Sequence, residues 1–331
     1  MILSYWLRLL SLCFASFFLV HATAILGVWI VRRRAIQFAQ RLSPRNAARF
    51  LLALRLLPTG VAVAAVLGLC APSYLRFEQN ILTEKVGLVC LVLSGLGFAI
   101  CLLAFDNGLG AAASSLEFVS VCRSSGHAVP LSGNPSRMLV IPGKQPFLAQ
   151  CGVLRPRIVI SHRLLREFSS EELEAALEHE RAHWLSRDNC KRLLLAFVPN
   201  ALPFLPALKT LDQNWAKFAE RAADDYVLAM GARPATSLAS ALVRLARAGN
   251  IHDPVTGTLV PFVMSPLDGT DDLSARVSRL LAPAQARARR QSHRLRALLS
   301  VTTIIVACVA AGLAWSAALA PLHELLERLI R

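Results

Sequence analysis

The stretch LEAALEHERAHWLSRD, residues 173–188, carries two histidines four positions apart, His179 and His183, with Glu180 directly after the first. On an α-helix, positions i and i+4 lie one turn apart on the same face, so both imidazoles can reach one metal ion. Glu180 stands about a hundred degrees further round. That is too far to be a ligand, but it is beside an open coordination position, where a carboxylate can take a proton from water. This is the H-E-x-x-H arrangement of zinc peptidases. The competing reading is a solvated helix face that happens to hold two imidazoles. Zinc suits the pattern because it accepts nitrogen and oxygen donors tetrahedrally and brings the pKa of a water towards neutrality.

The helix itself is well marked. Ser169 followed by Glu172 forms a capping box. Leu173, Ala176, Leu177 and Trp184 then recur at helical spacing, which predicts a helix over residues 170–187.

Two histidines leave a catalytic zinc one protein ligand short. Downstream, FAERAADDYVL (residues 218–228) lies in a segment expected to be helical over 212–230. Glu220 is the natural third ligand there. Asp224, one turn on, can hydrogen-bond the outer nitrogen of a ligand histidine and fix its tautomer. Two alternatives stand beside this: Glu220 pairs with Lys217 or Arg221 on an exposed face, or Asp225 replaces it from off that face. Asp188 reads as a local partner of Arg187 or Arg192, His162 as a surface residue, and His21 as a helix–helix contact or interfacial group.

Between these helices lies LLLAFVPNALPFLPAL, residues 193–208, apolar but broken by Pro199, Pro203 and Pro206. It is too short and too kinked for a straight crossing. A hairpin dipping into the bilayer or packed on spanning helices is expected, against a buried hairpin of the soluble domain. A further helix is expected over 234–248. Upstream, residues 138–141, 147–150 and 157–161 are short strand candidates separated by Gly and Pro. They predict a small sheet with an edge on which an extended peptide could be added.

Composition points to a bilayer. Hydrophobic residues make up 55% of the 331-residue chain and charged residues 17%, where soluble domains run near a quarter charged. Residues 9–31, 86–105 and 297–320 carry no formal charge, and each reaches the roughly 20 residues that cross a bilayer. A fourth run, 56–71, is long enough once extended back to residue 50. Arg55 would then lie at the membrane edge with its stem reaching to the headgroups. The first run could instead be a signal peptide ending at Ala22-Thr23-Ala24, but it continues to residue 31 and meets Arg32-Arg33-Arg34, unfavourable flanks for export.

The expected fold is therefore a mainly α membrane protein with four transmembrane helices, about 9–31, 50–71, 86–105 and 297–320. A cytoplasmic α+β zincin-like domain, 106–296, lies between the third and fourth, and a short outer tail ends the chain. Arg32, Arg33, Arg34, Arg41, Arg45 and Arg49, and again Arg287, Arg289, Arg290, Arg294 and Arg296, stand in segments without acidic residues. Positive residues stay on the cytoplasmic side, which puts both termini outside and the catalytic segment inside a bacterial cytoplasmic membrane. These blocks supply most of the +15 net charge and lack interleaved aromatics. They read as anchors to anionic lipid rather than as a nucleic-acid surface. The eight cysteines include no C-x-x-C pair and read as small buried hydrophobes in a reducing compartment.

PFLAQCGVLRPRIVIS (146–161), FSSEELEAALEHERAHWLSRD (168–188) and FAERAADDYVL appear in that order. In this the chain resembles the BlaR/MecR-type beta-lactam sensor-transducer membrane zinc peptidases, metallopeptidase family 56. The matching features are Pro146-Phe147 leading into strands, a capped zinc helix ending in Arg187-Asp188, and Glu220 with Asp224 on a later helix. The resemblance covers about residues 138–248. It implies that His179, His183 and Glu220 hold one zinc ion, that Glu180 is the general base and acid, and that Asp224 orients a ligand. It also implies cleavage of the protein itself or of a cytoplasmic transcriptional repressor. The sequence departs from the antibiotic sensors in that only residues 321–331 follow the last run, and no lysine has a serine three residues before it. Direct acylation by beta-lactams is therefore not expected. Two rival expectations remain: a membrane quality-control zinc protease, and a non-catalytic transducer with a structural or empty metal site.

Overall fold

The computed structural model describes residues 4–77, 86–131, 134–142, 147–153, 156–205, 207–247 and 270–282. The expected span at 297–320, the basic block at 283–296, the tail at 321–331 and Pro146 lie outside the described residues.

Among the described residues, three helices are long and apolar enough to cross a membrane. Helix α1 runs Tyr5–Gln40 from an N-cap at Ser4. A tight reversal at Arg41 and Leu42 leads to α2, Pro44–Ala65, with Ser43 as N-cap and Pro44 in the first turn. Proline belongs there because its missing N–H would have had no helical partner. Pro58 inside α2 removes one ladder bond. The π-turn Val66–Cys70 adds a second irregularity before α3, Ala71–Phe77. Helix α4 runs Leu88–Ser125. Large apolar side chains such as Leu7, Ile30, Leu67, Leu88 and Leu102 face outward from these helices, as lipid-facing surfaces do.

Two findings depart from the sequence expectations here. The third apolar run ends at residue 105, yet α4 continues through Asp106 to Ser125. Loss of hydrophobicity marks where the lipid-compatible surface stops, not where a helix must stop. Arg55 does not reach for headgroups either. It is 6% exposed, and its Nε donates to Asp212 Oδ1 at 2.9 Å. A long-range ion pair has captured it.

Beyond α4 come four strands: β1 His127–Leu131, β2 Asn134–Ile141, β3 Leu148–Cys151 and β4 Arg157–Ser161. Their order is β1-β2-β4-β3. β2 and β4 are parallel, with Leu139 opposite Val159, while β1 and β3 add antiparallel at the two edges. Side chains alternate between two buried faces. Leu139, Ala149, Cys151 and Val159 pack with Phe118 and Cys122 of α4, so the helix extension beyond residue 105 is the platform under the sheet. Met138, Val140, Ile158 and Ile160 face the opposite way, onto a second helical layer. That layer comprises α5 His162–Glu167, α6 Ser170–Ser186, α7 Asp188–Ala196, α8 Ala207–Leu228, α9 Ala232–Arg247 and α10 Thr270–Leu281.

Helix α8 is bound to the membrane bundle. Leu211, Trp215 and Phe218 share a core with Val28 and Ala39 of α1 and Ala47, Ala48 and Leu51 of α2. The segment 193–208 packs on spanning helices, as one of its expected alternatives had it. Ala201, Leu202, Leu205 and Leu208 surround Ile25 with Phe18, Ala22 and Ile100. His21 makes a helix–helix contact, its Nε2 lying 3.1 Å from Thr59 Oγ1.

Helices α1 and α4 approach so closely at Gly97 that a Cβ there would fall on the Phe14 carbonyl, whereas one at Gly95 would meet nothing. Gly97→Ala should therefore lower stability in detergent by about 1–3 kcal/mol, as overpacking does. Gly95→Ala should leave it unchanged or slightly raised. Thermal unfolding of the two variants checks this, and equal midpoints would contradict the packing described.

Candidate metal centre

Helix α6 begins with the capping box read from the sequence. Ser169 Oγ accepts from the Glu172 N–H at 3.2 Å, and the Ser169 N–H donates to Glu172 Oε2 at 2.9 Å. The remaining oxygen, Glu172 Oε1, accepts from Arg244 Nε at 2.8 Å and from the Ser240 hydroxyl, which ties α9 to α6. Burial alone would raise this carboxyl, but those bonds together hold it below its ordinary value. Ala175, Ala176, His179, Ala182 and His183 form the buried stripe of α6.

The helix ends at Arg187, a non-glycine residue in the left-handed region at φ 54°. This kink starts α7 in a new direction and turns Asp188 back on the site. Five residues after His183, Asp188 would not face it on a continuous helix. Here the His183 Nδ1–H donates to Asp188 Oδ2 at 2.8 Å, and Lys191 Nζ holds the other oxygen at 2.7 Å. A carboxylate only accepts, so the proton sits on Nδ1, leaving the lone pair on Nε2. The sequence reading had paired Asp188 with Arg187 or Arg192, and that is corrected. Its partners are a histidine of the motif and Lys191.

His179 also turns its outer nitrogen towards a carboxylate, without a hydrogen bond of good geometry among the described residues. Its Nδ1 lies 3.3 Å from Asp224 Oδ1, and its Nε2 faces inward. The two Nε2 atoms are 3.3 Å apart, and Glu220 Oε2 and Oε1 lie 3.4 Å from His179 Nε2 and His183 Nε2. Donors around a tetrahedral ion bound at roughly 2.0–2.1 Å sit about 3.3–3.4 Å from one another. The three side chains thus already stand at the edges of such a shell, buried and within 4.8 Å of each other. Glu220 Oε1 has no hydrogen-bond partner among the described residues. Two inward lone pairs and a buried carboxylate oxygen repel one another unless a positive charge lies among them, and this donor set fits a divalent cation.

Without a metal, protons fill that role. Burial would push His183 down, but the Glu220 charge and the Asp188 and Glu220 hydrogen bonds outweigh it and raise it to about 10. Glu220 is depressed despite burial, chiefly by the charge of His183. Glu180 lines the same cavity. Burial pushes its carboxyl up, partly offset by the two imidazoles and the Gln150 backbone N–H.

Two arginines that sequence reasoning did not single out close the site. Arg276 of α10 is 3% exposed and donates to both oxygens of Asp224, at 2.9 and 2.8 Å. Its Nη1 is 3.3 Å from Glu220 Oε2. Arg279 Nη1, one turn on, meets Asp225 Oδ1 at 3.0 Å, so Asp225 faces away from the imidazoles. The only available signal was Arg276 and Arg279 spaced for one helix face. Arg192 lies over the Trp215 ring at 5.7 Å and 4.0 Å from Glu220 Oε1. Arg221 lies over Phe218 at 5.5 Å. His162 opens α5 on the exposed surface.

The cavity is walled on one side by Leu148, Ala149 and Gln150 of β3 and on the other by Leu238, Leu242 and Leu245 of α9. The Ser161 N–H donates to the Phe147 carbonyl. By alternation along the pair, Leu148, Gln150 and Gly152 then turn their N–H and C=O groups outward from the edge. Asn189 Nδ2 donates to two of these, Gln150 O at 3.2 Å and Gly152 O at 2.9 Å. One kink at Arg187 therefore sets both a histidine partner and a clamp on the edge strand.

Metal must displace protons here. Raising pH from about 6 towards 10 should strengthen divalent-cation binding, with release of on the order of one proton per ion. Calorimetry in buffers of different ionisation enthalpy measures this, and a buffer-independent heat would contradict it. Asp188→Ala should weaken metal binding by about 10- to 100-fold, read by competition with a chelator.

The family model described as BlaR1 peptidase M56 matches residues 113–280, just over half of the chain. No curated protein matches it. The matched interval runs from the last part of α4 through the sheet to α10, so it encloses the His-His-Glu cluster, both supporting aspartates and Arg276. The chain belongs to the BlaR1 peptidase M56 family, the membrane metallopeptidases that the motif order in the sequence resembles.

Proposed function

We propose that this protein is a multi-pass membrane zinc endopeptidase that relays a signal by cleaving a cytoplasmic regulator, such as a transcriptional repressor, or itself. The observation that carries the reading is the meeting of His179 Nε2, His183 Nε2 and the Glu220 carboxylate, whose two oxygens each lie 3.4 Å from one of these nitrogens, with the nitrogens 3.3 Å apart. The outer nitrogen of each imidazole faces a carboxylate. Two nitrogens and one oxygen in a tetrahedral half-shell favour zinc over calcium or magnesium, which prefer oxygen alone. When bound, zinc supplies Lewis-acid chemistry, acidifying a water and polarising a carbonyl.

The residues of the chain do the rest. Asp188 and Asp224 hold the imidazoles in the ligating tautomer. Glu180, with its carboxyl raised by burial, takes a proton from the attacking water and returns it to the leaving amine. The outward N–H and C=O of Leu148 on β3 receive the peptide backbone as an added strand. Asn189 keeps that edge straight by occupying the next two carbonyls.

A transducing role draws support from how α8 is held. The helix that bears Glu220 is tied to the α2 span by the Arg55–Asp212 pair and the shared core around Trp215. Movement of the span therefore acts on a metal ligand. The arginines from the end of α1 into the start of α2, Arg32 to Arg49, favour a cytoplasmic catalytic domain in a bacterial inner membrane, with the amino terminus outside.

Glu180→Gln should keep stoichiometric zinc but lose about 10²- to 10⁴-fold in cleavage, while His183→Ala loses both. Metal analysis, with cleavage of the chain itself or of a co-expressed repressor in vesicles, reads the two effects. Undiminished proteolysis by the Glu180→Gln protein would end the general-base assignment.

A further inference from the structure

We propose that residues 197–205 form a re-entrant hairpin immersed in the acyl layer, with the exposed Phe204 ring covered by lipid chains. No charged residue occurs from 193 to 208. The contacts of the segment fix its depth. Ala201, Leu202 and Leu205 cluster with Phe18, Ala22 and Ile25 of α1 and Ile100 of α4, all inside the apolar runs at 9–31 and 86–105. Ile25, the buried α1 residue of the cluster, stands six residues, about 9 Å, before the end of its run at residue 31, so the hairpin reaches below the headgroups. Phe197 marks the edge of the immersed segment, where the apolar run of α4 ends. Its ring lies 6.1 Å from that of Phe105 and occupies the space where a Cβ on Gly108 would fall.

The backbone carries the features that irregular chain needs in a solvent without hydrogen-bonding capacity. Pro199, Pro203 and Pro206 have no N–H to leave unpaired. The Leu202 N–H donates to Asn200 Oδ1 at 3.2 Å, the Leu205 N–H to the Leu202 carbonyl at 3.0 Å, and the Phe197 N–H to the Leu194 carbonyl at 3.1 Å. Against this inward packing, Phe204 is 75% exposed. On α4, whose Ile100 packs in the same cluster as the hairpin, Leu102 and Phe105 are each 55% exposed. An aromatic ring left open on a hairpin that packs among membrane-spanning helices fits acyl chains, and the charge-free sequence offers an acidic or basic protein partner nothing to pair with.

The placement also sets the height of the metal centre. Helix α8 leaves the hairpin at Leu208 beside Ile25 and packs Leu211, Trp215 and Phe218 against Val28 and Ala39, climbing alongside α1. Glu220 is therefore about 18 Å above Leu208 at 1.5 Å per residue. The end of the apolar run at residue 31 is about 9 Å above Ile25 on the same scale. The metal cluster stands at headgroup level, within reach of juxtamembrane peptide.

The test replaces Phe204 with the photoreactive p-benzoyl-phenylalanine in the full chain, reconstituted in phosphatidylethanolamine–phosphatidylglycerol vesicles. Position 102 serves as a lipid-facing reference and the exposed Arg247 position on α9 as an aqueous one. Irradiation should give a one-lipid mass adduct at 204 and 102 and none at 247. Adducts at 102 alone, or a cross-link from 204 to a second copy of the chain, would overturn the proposal. Phe204→Trp provides an independent reading. Its added emission should be quenched by chain-brominated phospholipid as strongly as that of Leu102→Trp, and an unquenched emission would again overturn it. Neither result depends on peptidase activity.

Discussion

Two lone pairs and a carboxylate, pressed to 3.3–3.4 Å in a buried site, impose a charge condition that the surrounding structure is arranged to meet. Carboxylates of Glu220, Asp224, Asp188 and Glu180 gather there, and Arg276, Arg279 and Lys191 stand against three of them. Lys191 and Arg279 stand against the supporting aspartates, and Arg276 bridges Asp224 and the ligand Glu220. A buried charge without compensation costs several kcal/mol, so loss of one support is felt at the ligands. That is why residues as far apart as Asp188, on the kink after α6, and Arg276, on α10, belong to one electrostatic unit.

Geometry follows from how few elements carry the cluster. Helix α6 supplies both imidazoles and Glu180, and α8 supplies Glu220 and Asp224. Relative placement of two rods then decides everything. Three contacts set α8: the Arg55–Asp212 pair towards the membrane, Trp215 and Phe218 in the core with α1 and α2, and Arg276 with Arg279 at the ligand end. The capping box and its bonds to α9 set α6. Membrane bundle and metal cluster are joined by one continuous helix, a mechanical basis for responding to events in the bilayer.

Much of this was legible in the sequence, for local reasons. Ser169 and Glu172 announce the start of α6, and the four-residue histidine spacing announces its metal face. Glu220 and Asp224 share a face by the same periodicity, while Asp225 falls off it and indeed meets Arg279. The three strands with β-branched or apolar runs were readable. β1 was not, because His127–Leu131 contains Pro130, which is tolerated on an edge strand but argues against a strand in isolation. The remaining misreadings are all tertiary. Asp188 reaches His183 only through a left-handed kink at Arg187 that no spacing rule anticipates. Arg55 looks like a headgroup anchor until Asp212, far along the chain, takes it. Arg276 is an unremarked helix position until α10 docks on Asp224.

X-ray absorption at the zinc edge of the purified chain tests the central claim most directly. The account predicts one zinc ion with four nitrogen or oxygen neighbours at about 2.0–2.1 Å, two of them giving the outer-shell scattering of imidazole. Chelator-resistant protein without zinc, or a sulfur neighbour at about 2.3 Å, would contradict it.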